Sequence, residues 1–250
     1  MIEQSDAAFA ADLAEQAGAL LLDLQHTPGL TGKELGTAGD AAANDLLLGL
    51  LAAGRPGDAV LSEESADSAA RLRADRVWII DPLDGTREYG MEGRTDWAVH
   101  VALWERGASG SAITAAAVAQ PALSTVYSTE GGAVARQAQS TPIFLVSDSR
   151  PPIFAAAVAA ACGAELRTMG SAGAKAMAVL RGDADAYLHA GGQWEWDSAA
   201  PVGVALAAGL HASRVDGSTL TYNAAHPYLP DLVVCRADLA DEILAAIAAA

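Results

Sequence analysis

The sequence is short of cysteine and of basic residues, and each shortage excludes a class of protein. Its two cysteines, Cys162 and Cys235, have no cysteine or histidine nearby at the spacing of a metal or redox motif, so we expect ordinary thiols in a reducing compartment. The 15 Lys and Arg stand against 31 Asp and Glu, which gives a net charge of −16. Because nucleic-acid binding depends on basic residues that neutralise phosphates, a DNA or RNA partner is not expected.

Long hydrophobic runs are also missing. The longest apolar stretches, such as residues 153–163, are too short and too rich in alanine to span a bilayer. The first six residues are acidic, whereas a secretory signal begins with basic residues. These features predict a cytoplasmic enzyme without a membrane partner.

The composition is that of a globular protein, with 52% hydrophobic and 18% charged residues in a chain of 250. This length suits one large domain or two small ones. Small and polar residues between Gly131 and Thr141 mark the predicted boundary. We predict an α+β domain over residues 1–135, which carries most of the acidic motifs described below, and an α/β domain over residues 136–250, which carries Asp197 and substrate contacts.

Apolar positions at helical spacing predict a first helix after Ser5, whose hydroxyl can cap it, and a second helix after a glycine-rich stretch over residues 29–39. By its position alone, Asp40 is predicted to be the N-cap of this second helix. Alternating or β-branched runs predict strands over residues 58–61, 77–80, 97–103, 112–119 and 125–128. Beyond residue 141 strands alternate with helices, including a helix over 151–162, a strand over 184–188 and a helix over 197–208.

The most informative segment runs from Trp78 to Thr86 and reads Trp-Ile-Ile-Asp-Pro-Leu-Asp-Gly-Thr. Its apolar start is typical of a buried strand, and it leads into two carboxylates, Asp81 and Asp84, at a turn that Pro82 stiffens. Mg²⁺ is usually held by a few carboxylates together with water and substrate phosphate. Asp81 and Asp84 are therefore candidate ligands that share or divide such ions.

Two further acidic motifs lie at the ends of predicted elements. Glu63 and Glu64 follow a short apolar run, and Asp197 opens a helical pattern in Trp-Glu-Trp-Asp-Ser-Ala-Ala. A lone Glu-Glu pair is more often a solvated turn than a ligand. If Glu63 and Asp197 converge with Asp81 and Asp84, however, four negative charges share one cleft. Bound cations would relieve their repulsion and desolvation.

Together these motifs resemble the inositol monophosphatase superfamily of Mg²⁺-dependent, lithium-sensitive phosphatases, in the expected order from Asp40 to Asp197. Residues 84–89 are similar to the CysQ-type 3′(2′),5′-bisphosphate nucleotidase branch, because a glutamate and an aromatic residue follow the threonine. Residues 189–197 resemble the actinobacterial members of that branch. The resemblance implies an α/β protein with a layered αβαβα sugar-phosphatase fold, an active site in the crevice between two halves, and a homodimer.

The resemblance further implies a site for two or three Mg²⁺ ions. Its expected ligands are one carbonyl oxygen and four carboxylates, namely Leu83, Glu63, Asp81, Asp84 and Asp197. Asp81 would bridge two ions, and Asp84 with Asp197 would hold the second.

A catalytic group is implied beside these ligands. Asp40 and Thr86 would orient and deprotonate the attacking water, and Glu63 would complete the group. The water would attack phosphorus in line, without a phosphoenzyme.

Substrate contacts are implied near residue 170, where a predicted helix begins and free N–H groups attract anions. The expected substrate-binding residues are Gly85, Thr86, Gly170, Ser171, Ala172, Lys175 and Asp197. A Gly-Ser turn is about as often a simple helix cap. His189, Glu195 and Tyr222 could line the nucleoside end, although such residues are more often packed or capping. His100, in an alternating strand, is predicted to be structural.

The sequence thus predicts an enzyme for a small phosphorylated substrate. The first candidate is the 3′-phosphate of 3′-phosphoadenosine 5′-phosphate, with the 5′-phosphosulfate as a second substrate, in sulfate assimilation. Inositol 1-phosphate and fructose 1,6-bisphosphate are the alternatives for the same site. Two alternatives belong to other classes: a metal-binding regulator without turnover, and an aspartyl-phosphate phosphatase, which would need Asp-x-Asp where two residues separate Asp81 from Asp84.

Overall fold

The computed structural model describes residues 4–108, 110–132 and 141–250. In the first half of the chain, two long helices pack on one face of a five-stranded sheet. Its elements are α1 (Asp6–Gln25), α2 (Gly32–Gly54), β1 (Ala59–Ser62), β2 (Arg76–Asp84), α3 (Thr86–Tyr89), β3 (Ala98–Gly107), β4 (Gly110–Gln120) and β5 (Thr125–Ser128). The strands lie side by side in sequence order, with β1 parallel to β2 and the other neighbours antiparallel.

The second half builds another five-stranded sheet. Its elements are β6 (Ile143–Ser147), α4 (Ala155–Ala161), β7 (Glu165–Met169), α5 (Ala172–Arg181), β8 (Ala186–Trp194), α6 (Glu195–Ala207), β9 (His211–Ser213), β10 (Tyr228–Cys235) and α7 (Ala240–Ala248). The strand order is β7-β6-β8-β10-β9. β6 runs parallel to β7 and β8, and β10 runs antiparallel to β8 and β9.

Three clusters of buried apolar side chains join these elements into five layers. The first packs α1 and α2 against one face of the first sheet, around Trp78 and Val101. The second fills the space between the two sheets with α5 and α6, including Met177 and Val202. The third packs α4 and α7 on the outer face of the second sheet, around Phe144. The predicted αβαβα layering is confirmed.

Helix α1 begins as the sequence predicts. Ser5 is its N-cap, and Ser5 Oγ accepts a hydrogen bond from the Ala8 N–H at 3.1 Å. Such a cap satisfies one of the N–H groups that a helix start leaves without a partner.

Helix α2 corrects the prediction for Asp40. The helix begins at Gly32, with Thr31 as its N-cap, so Asp40 lies within the helix and the predicted N-cap is wrong. The glycines that suggested a loop are a packing surface: a Cβ on Gly36 would stand 2.7 Å from Thr86 Cγ2, and one on Gly39 would stand 2.9 Å from Tyr89 Cε1. Tertiary contact with the turn after β2 therefore outweighs the low helix propensity of glycine.

Other elements differ from the prediction mainly at their ends. β2 continues through Asp84, and β8 continues through Trp194 instead of stopping at residue 188. α4 is shorter than the predicted helix over 151–162. The predicted domain boundary at residue 135 falls among residues 133–140, which lie outside the described part of the chain. Among the helices of the described ranges, none combines the length and apolar character of a membrane span.

Candidate metal and phosphate site

Asp81 and Asp84 lie at the end of β2, which runs between β1 and β3. Asp81 pairs with His100 of β3, and a bulge between Asp81 and Asp84 interrupts the ladder. Pro82, inside the bulge, has no N–H to contribute to a ladder. The Leu83 N–H turns back and donates to Asp81 Oδ1 at 3.1 Å. The irregularity that the Asp-Pro-Leu-Asp run imposes thus brings two buried carboxylates into one site.

Two hydrogen-bond donors and a histidine ring converge on one oxygen of Asp84. Ser171 Oγ and the Gly173 N–H, the latter at 2.7 Å, both donate to Asp84 Oδ2, and His100 Nε2 lies 3.3 Å from the same atom. Burial alone would raise the pKa of this carboxyl, but the nearby His100 ring and the hydrogen bonds from Ser171 and Gly173 lower the pKa to about 2. Asp84 is therefore a permanently charged member of the site.

His100 is a site residue that sequence reasoning missed. Its ring is fully buried, with Nδ1 3.1 Å from the Trp196 carbonyl oxygen and Nε2 against Asp84. Gly173 makes this position possible, because a Cβ there would stand 2.1 Å from His100 Nε2. The alternating pattern of β3 correctly indicated a buried histidine, but it carried no signal for the approach of α5.

Asp197 comes to the site from the second half of the chain, in the first turn of α6. Its Oδ2 accepts a hydrogen bond from the Trp194 N–H at 2.6 Å. Burial and the charge of Asp84 raise the pKa of this carboxyl to about 6, although the hydrogen bond acts in the opposite direction. The helix start therefore fixes the carboxylate in place beside another negative charge.

The three aspartates form a compact cluster of oxygen ligands. Asp81, Asp84 and Asp197 each offer an oxygen that lies within 4.8 Å of the others. Asp81 Oδ2 is buried and has no hydrogen-bond partner among the described residues. Burial, and then the charges of neighbouring carboxylates, raise the pKa of Asp81 well above its usual range. A buried oxygen without a donor, inside a ring of carboxylates, fits a divalent cation.

Glu63 borders this cluster, immediately after β1, and its N–H donates to the Ile80 carbonyl at 3.4 Å. Desolvation, and then the charges of Asp197 and Asp40, raise the pKa of Glu63, although its side chain stays partly open to solvent. The parallel pairing of β1 with β2 thus brings this glutamate near the cluster, and its role as a metal ligand stays a prediction.

Asp40 and Thr86 are in contact across the interface between α2 and α3. Thr86 Oγ1 lies 3.3 Å from Asp40 Oδ1 and 3.1 Å from the Leu83 carbonyl oxygen. Burial, and then the charge of Glu64, raise the pKa of Asp40 to about 7. A carboxyl group that titrates near neutral pH, linked to a hydroxyl, is suited to general acid–base chemistry.

The turn before α5 closes the other side of the site. Ser171 is the N-cap of α5, with a backbone φ of 45°, a left-handed value that costs energy for a residue other than glycine. Its Oγ accepts from the Ala174 N–H at 2.9 Å while it donates to Asp84. Gly85, with φ of 89°, lies against this serine, since a Cβ on Gly85 would stand 3.1 Å from Ser171 Cβ.

Lys175 is buried beneath this turn. Its Nζ lies 2.5 Å from the Ser171 carbonyl oxygen, 2.9 Å from that of Gly170 and 3.4 Å from that of Met169. It also lies 4.9 Å from the centre of the Tyr187 ring. Burial lowers the pKa of the ammonium to about 8. All three N–H groups therefore have carbonyl partners inside the protein.

Part of this site, including Asp84 and Asp197, lines a cleft of about 330 Å³. All seven predicted substrate-binding residues border it, namely Gly85, Thr86, Gly170, Ser171, Ala172, Lys175 and Asp197. Sequence reasoning missed several other lining residues, including Arg87, Glu88, Arg150 and Gln193. A larger cavity of about 660 Å³, beside β4 and α6, has no carboxylate in its lining and lies apart from this chemistry.

Of the three residues suggested for a nucleoside end, the structure brings only His189 to the cleft. Tyr222 lines the larger cavity. Glu195 is buried and accepts hydrogen bonds from the Asn223 N–H at 2.6 Å and the Ala224 N–H at 2.9 Å. For Glu195 and Tyr222 the packing or capping alternative is therefore the better description.

Comparison with known proteins gives a consistent result. The profile of the inositol monophosphatase family matches residues 3–249. The 3′-phosphoadenosine 5′-phosphate phosphatase of Mycobacterium leprae is 56% identical, over 98% of this chain and 94% of the relative. The 3′(2′),5′-bisphosphate nucleotidase CysQ of Salmonella typhimurium is 30% identical, over 77% of this chain and 81% of the relative.

A solved structure shares the fold. Inositol monophosphatase II from Staphylococcus aureus superimposes with a TM-score of 0.78 at 21% identity, over 94% of this chain and 92% of the other. At that identity the match concerns the fold alone.

Proposed function

Because this chain belongs to the inositol monophosphatase family, as its motifs predicted, we propose that it is a Mg²⁺-dependent phosphatase that removes the 3′-phosphate of 3′-phosphoadenosine 5′-phosphate. The observation that carries the proposal is the cluster of Asp81, Asp84 and Asp197, which each offer an oxygen within 4.8 Å of the others, together with the buried Asp81 Oδ2, which has no donor in the described part of the chain. The choice of substrate is supported by the name of the mycobacterial relative, which is 56% identical.

The donor set suits Mg²⁺, which prefers carboxylate and carbonyl oxygens. The residues that would hold two or three ions are Glu63, Asp81, Leu83, Asp84 and Asp197. Bound Mg²⁺ would supply Lewis-acid stabilisation of the negative charge on the attacking and leaving oxygens. Without cations, burial and then the charges of neighbouring carboxylates raise the pKa values of Asp81 and Asp197, so metal binding would also relieve an unfavourable charge arrangement.

Proton transfer is assigned to Asp40 and Thr86. The Thr86 hydroxyl lies 3.3 Å from Asp40 Oδ1, and the pKa of Asp40 is about 7. Asp40 can therefore accept, near neutral pH, a proton that an attacking water passes through the Thr86 hydroxyl. Glu63, which also borders the cluster, would help to orient that water. Because water is the nucleophile, no aspartyl-phosphate forms.

The substrate phosphate would lie between the turn after β2 and the start of α5. Gly85 and Ser171 form adjacent walls of the cleft there. A helix start carries partial positive charge, and α5 extends over 10 residues from it. The proposal has three further parts. The 5′-phosphosulfate of the same nucleotide would be a second substrate, the enzyme would act in sulfate assimilation in the cytoplasm, and it would form a homodimer.

The deciding experiment compares phosphate release from 3′-phosphoadenosine 5′-phosphate, inositol 1-phosphate and fructose 1,6-bisphosphate, with Mg²⁺ and with EDTA. We expect the nucleotide to give the highest kcat/KM and EDTA to abolish release. A higher kcat/KM for inositol or sugar phosphate would assign the site to the alternative substrates. Metal binding without release from any of the three would indicate a regulator, and a trapped phosphoenzyme would indicate the aspartyl-phosphate mechanism.

A further inference from the structure

Three basic side chains line the cleft, and two of them already have partners. Arg87 donates to Glu88 Oε1 and, at 2.6 Å, to both carboxylate oxygens of Asp148. Lys175 is held by main-chain carbonyls. The Arg150 guanidinium forms no hydrogen bond or ion pair with any residue in the described ranges, and Asp148, which lies close to it in sequence, is occupied by Arg87. Arg150 is thus the cation of this cleft that is available to a ligand.

Two buried polar side chains in the same cleft each have one nitrogen atom without a hydrogen-bond partner in the described ranges. His189 and Gln193 line it at only 5% and 7% exposure, and the Nε2 atom of each has no hydrogen-bond partner among the described residues. Both belong to β8, on either side of a bulge at Gly191 and Gly192, which have φ values of 99° and 92°. Buried polar atoms are nearly always satisfied in folded proteins. An unsatisfied pair that borders a cleft therefore points to a ligand.

The chemistry of this pair complements the edge of a base. Burial lowers the pKa of His189 to about 4, so the ring is neutral at neutral pH and has one donor and one acceptor nitrogen, which lets Nε2 accept a hydrogen bond from a ligand. The Gln193 amide offers a donor. A purine edge carries both a donor and an acceptor, whereas a polyol phosphate lacks a planar edge of this kind. The positive charge of Arg150, which also contributes to lowering the pKa of His189, acts in the same region of the cleft.

We propose that Arg150, His189 and Gln193 form a second subsite, in which Arg150 binds the remaining phosphate of a nucleotide bisphosphate while His189 and Gln193 bind the edge of its base. The inference rests on the proposed function for the identity of the nucleotide. The carboxylate cluster would hold the phosphate that is hydrolysed, and the second subsite would select the molecule that carries it.

The test uses three substrates that differ by one feature each. 3′-Phosphoadenosine 5′-phosphate has the base and both phosphates, adenosine 3′-monophosphate lacks the second phosphate, and inositol 1-phosphate also lacks the base. Arg150→Ala should lower kcat/KM for the bisphosphate about 10- to 100-fold and change the other two substrates less than about threefold. Arg150→Lys should restore part of the loss. Arg167→Ala is the matched control, because Arg167 is exposed and pairs with Glu165 outside the cleft.

Gln193→Leu tests the base contact. It should lower kcat/KM for both nucleotides by about 5- to 10-fold and leave inositol 1-phosphate within about twofold of the unmodified protein. Gln193→Met serves as a second variant if the leucine variant does not fold. A uniform decrease for all three substrates in folded variants, or no decrease for any, would overturn the subsite.

Equilibrium binding separates this inference from the proposed function. Adenosine 5′-monophosphate and adenosine are titrated into the Mg²⁺-saturated protein by calorimetry. Arg150→Ala should weaken the monophosphate about 10-fold or more and leave adenosine unchanged, whereas Gln193→Leu should weaken both. If the unmodified protein hydrolyses no nucleotide but these binding differences appear, the proposed function fails and the subsite stands. If the unmodified protein binds no adenosine 5′-monophosphate, the subsite is refuted.

Discussion

Gly173 and His100 are in direct contact, so close that a Cβ on Gly173 would stand 2.1 Å from His100 Nε2. The same glycine donates its N–H to Asp84 Oδ2 at 2.7 Å, and His100 Nε2 lies 3.3 Å from that oxygen. One residue of α5 thus determines how both a strand histidine and a metal-cluster aspartate are held. The contact joins the two halves of the chain at the candidate site.

Gly173→Ala should therefore damage the site as well as the packing. The His100 ring is fully buried, so the added methyl group should cost about 1–3 kcal/mol of unfolding free energy. Turnover should fall at least ~10-fold, because Asp84 loses its fixed donors. Gly203→Ala is the control. Gly203 belongs to α6, and its added Cβ would stand 2.7 Å from Cγ2 of Ile113 in β4, so the clash is similar but involves no site residue. The control should lose stability and keep its turnover; normal turnover in Gly173→Ala would contradict the role of this contact.

Asp81→Asn should separate catalysis from stability. Replacing a buried carboxylate oxygen that lacks a donor removes charge repulsion, so the metal-free protein should be at least as stable as before. Turnover at saturating Mg²⁺ should fall by at least ~10²-fold, and calorimetry should show weaker Mg²⁺ binding.

Asp185→Asn provides the opposite case. Asp185 is equally buried, but its oxygens have partners, Arg236 Nη1 at 3.0 Å and the Ile143 N–H at 2.9 Å. This variant should lose about 1–3 kcal/mol of stability and keep its turnover. If the two variants behaved alike, the assignment of Asp81 to the metal cluster would be wrong.

The stability of the metal-free protein should decrease as pH rises from about 5 to about 8. The pKa values of Asp40 and Asp197 are raised to about 7 and about 6, whereas a carboxyl group of the unfolded chain titrates near 4. In this range the folded state binds more protons than the unfolded state, so the unfolding free energy falls with pH. His189 opposes this up to about pH 6.5, because its pKa is lowered in the folded state.

We expect a net loss of at least roughly 2 kcal/mol between these pH values, measured by urea unfolding in EDTA, because the raised pKa values of Glu63 and Asp81 add to the effect of Asp40 and Asp197. Mg²⁺ competes with protons for the carboxylates, so its stabilising effect should be larger at pH 8 than at pH 5. In Asp197→Asn the pH dependence should be weaker. A metal-free protein that becomes more stable towards pH 8 would show that the carboxylates are not held close together.

The sequence identifies the candidate metal ligands better than the other residues that line the cleft. Asp81, Asp84 and Asp197 could be selected because each carboxylate follows or opens an element whose pattern is strong. Arg150 and Gln193 carried no such signal, since nothing in one sequence says that a loop arginine and a strand glutamine border the same cleft.

Glycine caused the main errors in element boundaries. The glycine-rich stretch over residues 29–39 suggested a loop, but its Gly36 and Gly39 lie in α2 and pack against Thr86 and Tyr89. The strand predicted over residues 184–188 stopped too early, because Gly191 and Gly192 form a bulge within β8, after which pairing with β10 resumes. In both cases a distant part of the chain decides the conformation, and local propensity cannot reveal it.

Arg71→Met should destabilise the protein without removing any candidate ligand. Arg71 is 1% exposed, and it donates to Asn223 Oδ1 at 2.6 Å, to the Ala224 carbonyl at 2.9 Å and to Asp67. The loss of several buried, charge-assisted hydrogen bonds should cost about 2–4 kcal/mol in urea unfolding. Arg167→Met, which removes an exposed pair with Glu165, should cost much less. Equal effects of the two variants would show that burial of Arg71 adds no stability.

Lys175→Met should lower the turnover of every phosphate substrate by a similar factor. The sequence predicted that this lysine meets substrate, but its ammonium group contacts the carbonyls of residues 169–171, where Ser171 holds a left-handed φ of 45° and donates to Asp84. We therefore expect it to position that turn, and its loss should reduce kcat at least ~10-fold for 3′-phosphoadenosine 5′-phosphate and inositol 1-phosphate alike. Their kcat/KM ratio should stay within about threefold of the unmodified protein, in contrast to Arg150→Ala. A ratio that shifts more than about 10-fold against the nucleotide would mean that Lys175 leaves these carbonyls and binds the second phosphate itself.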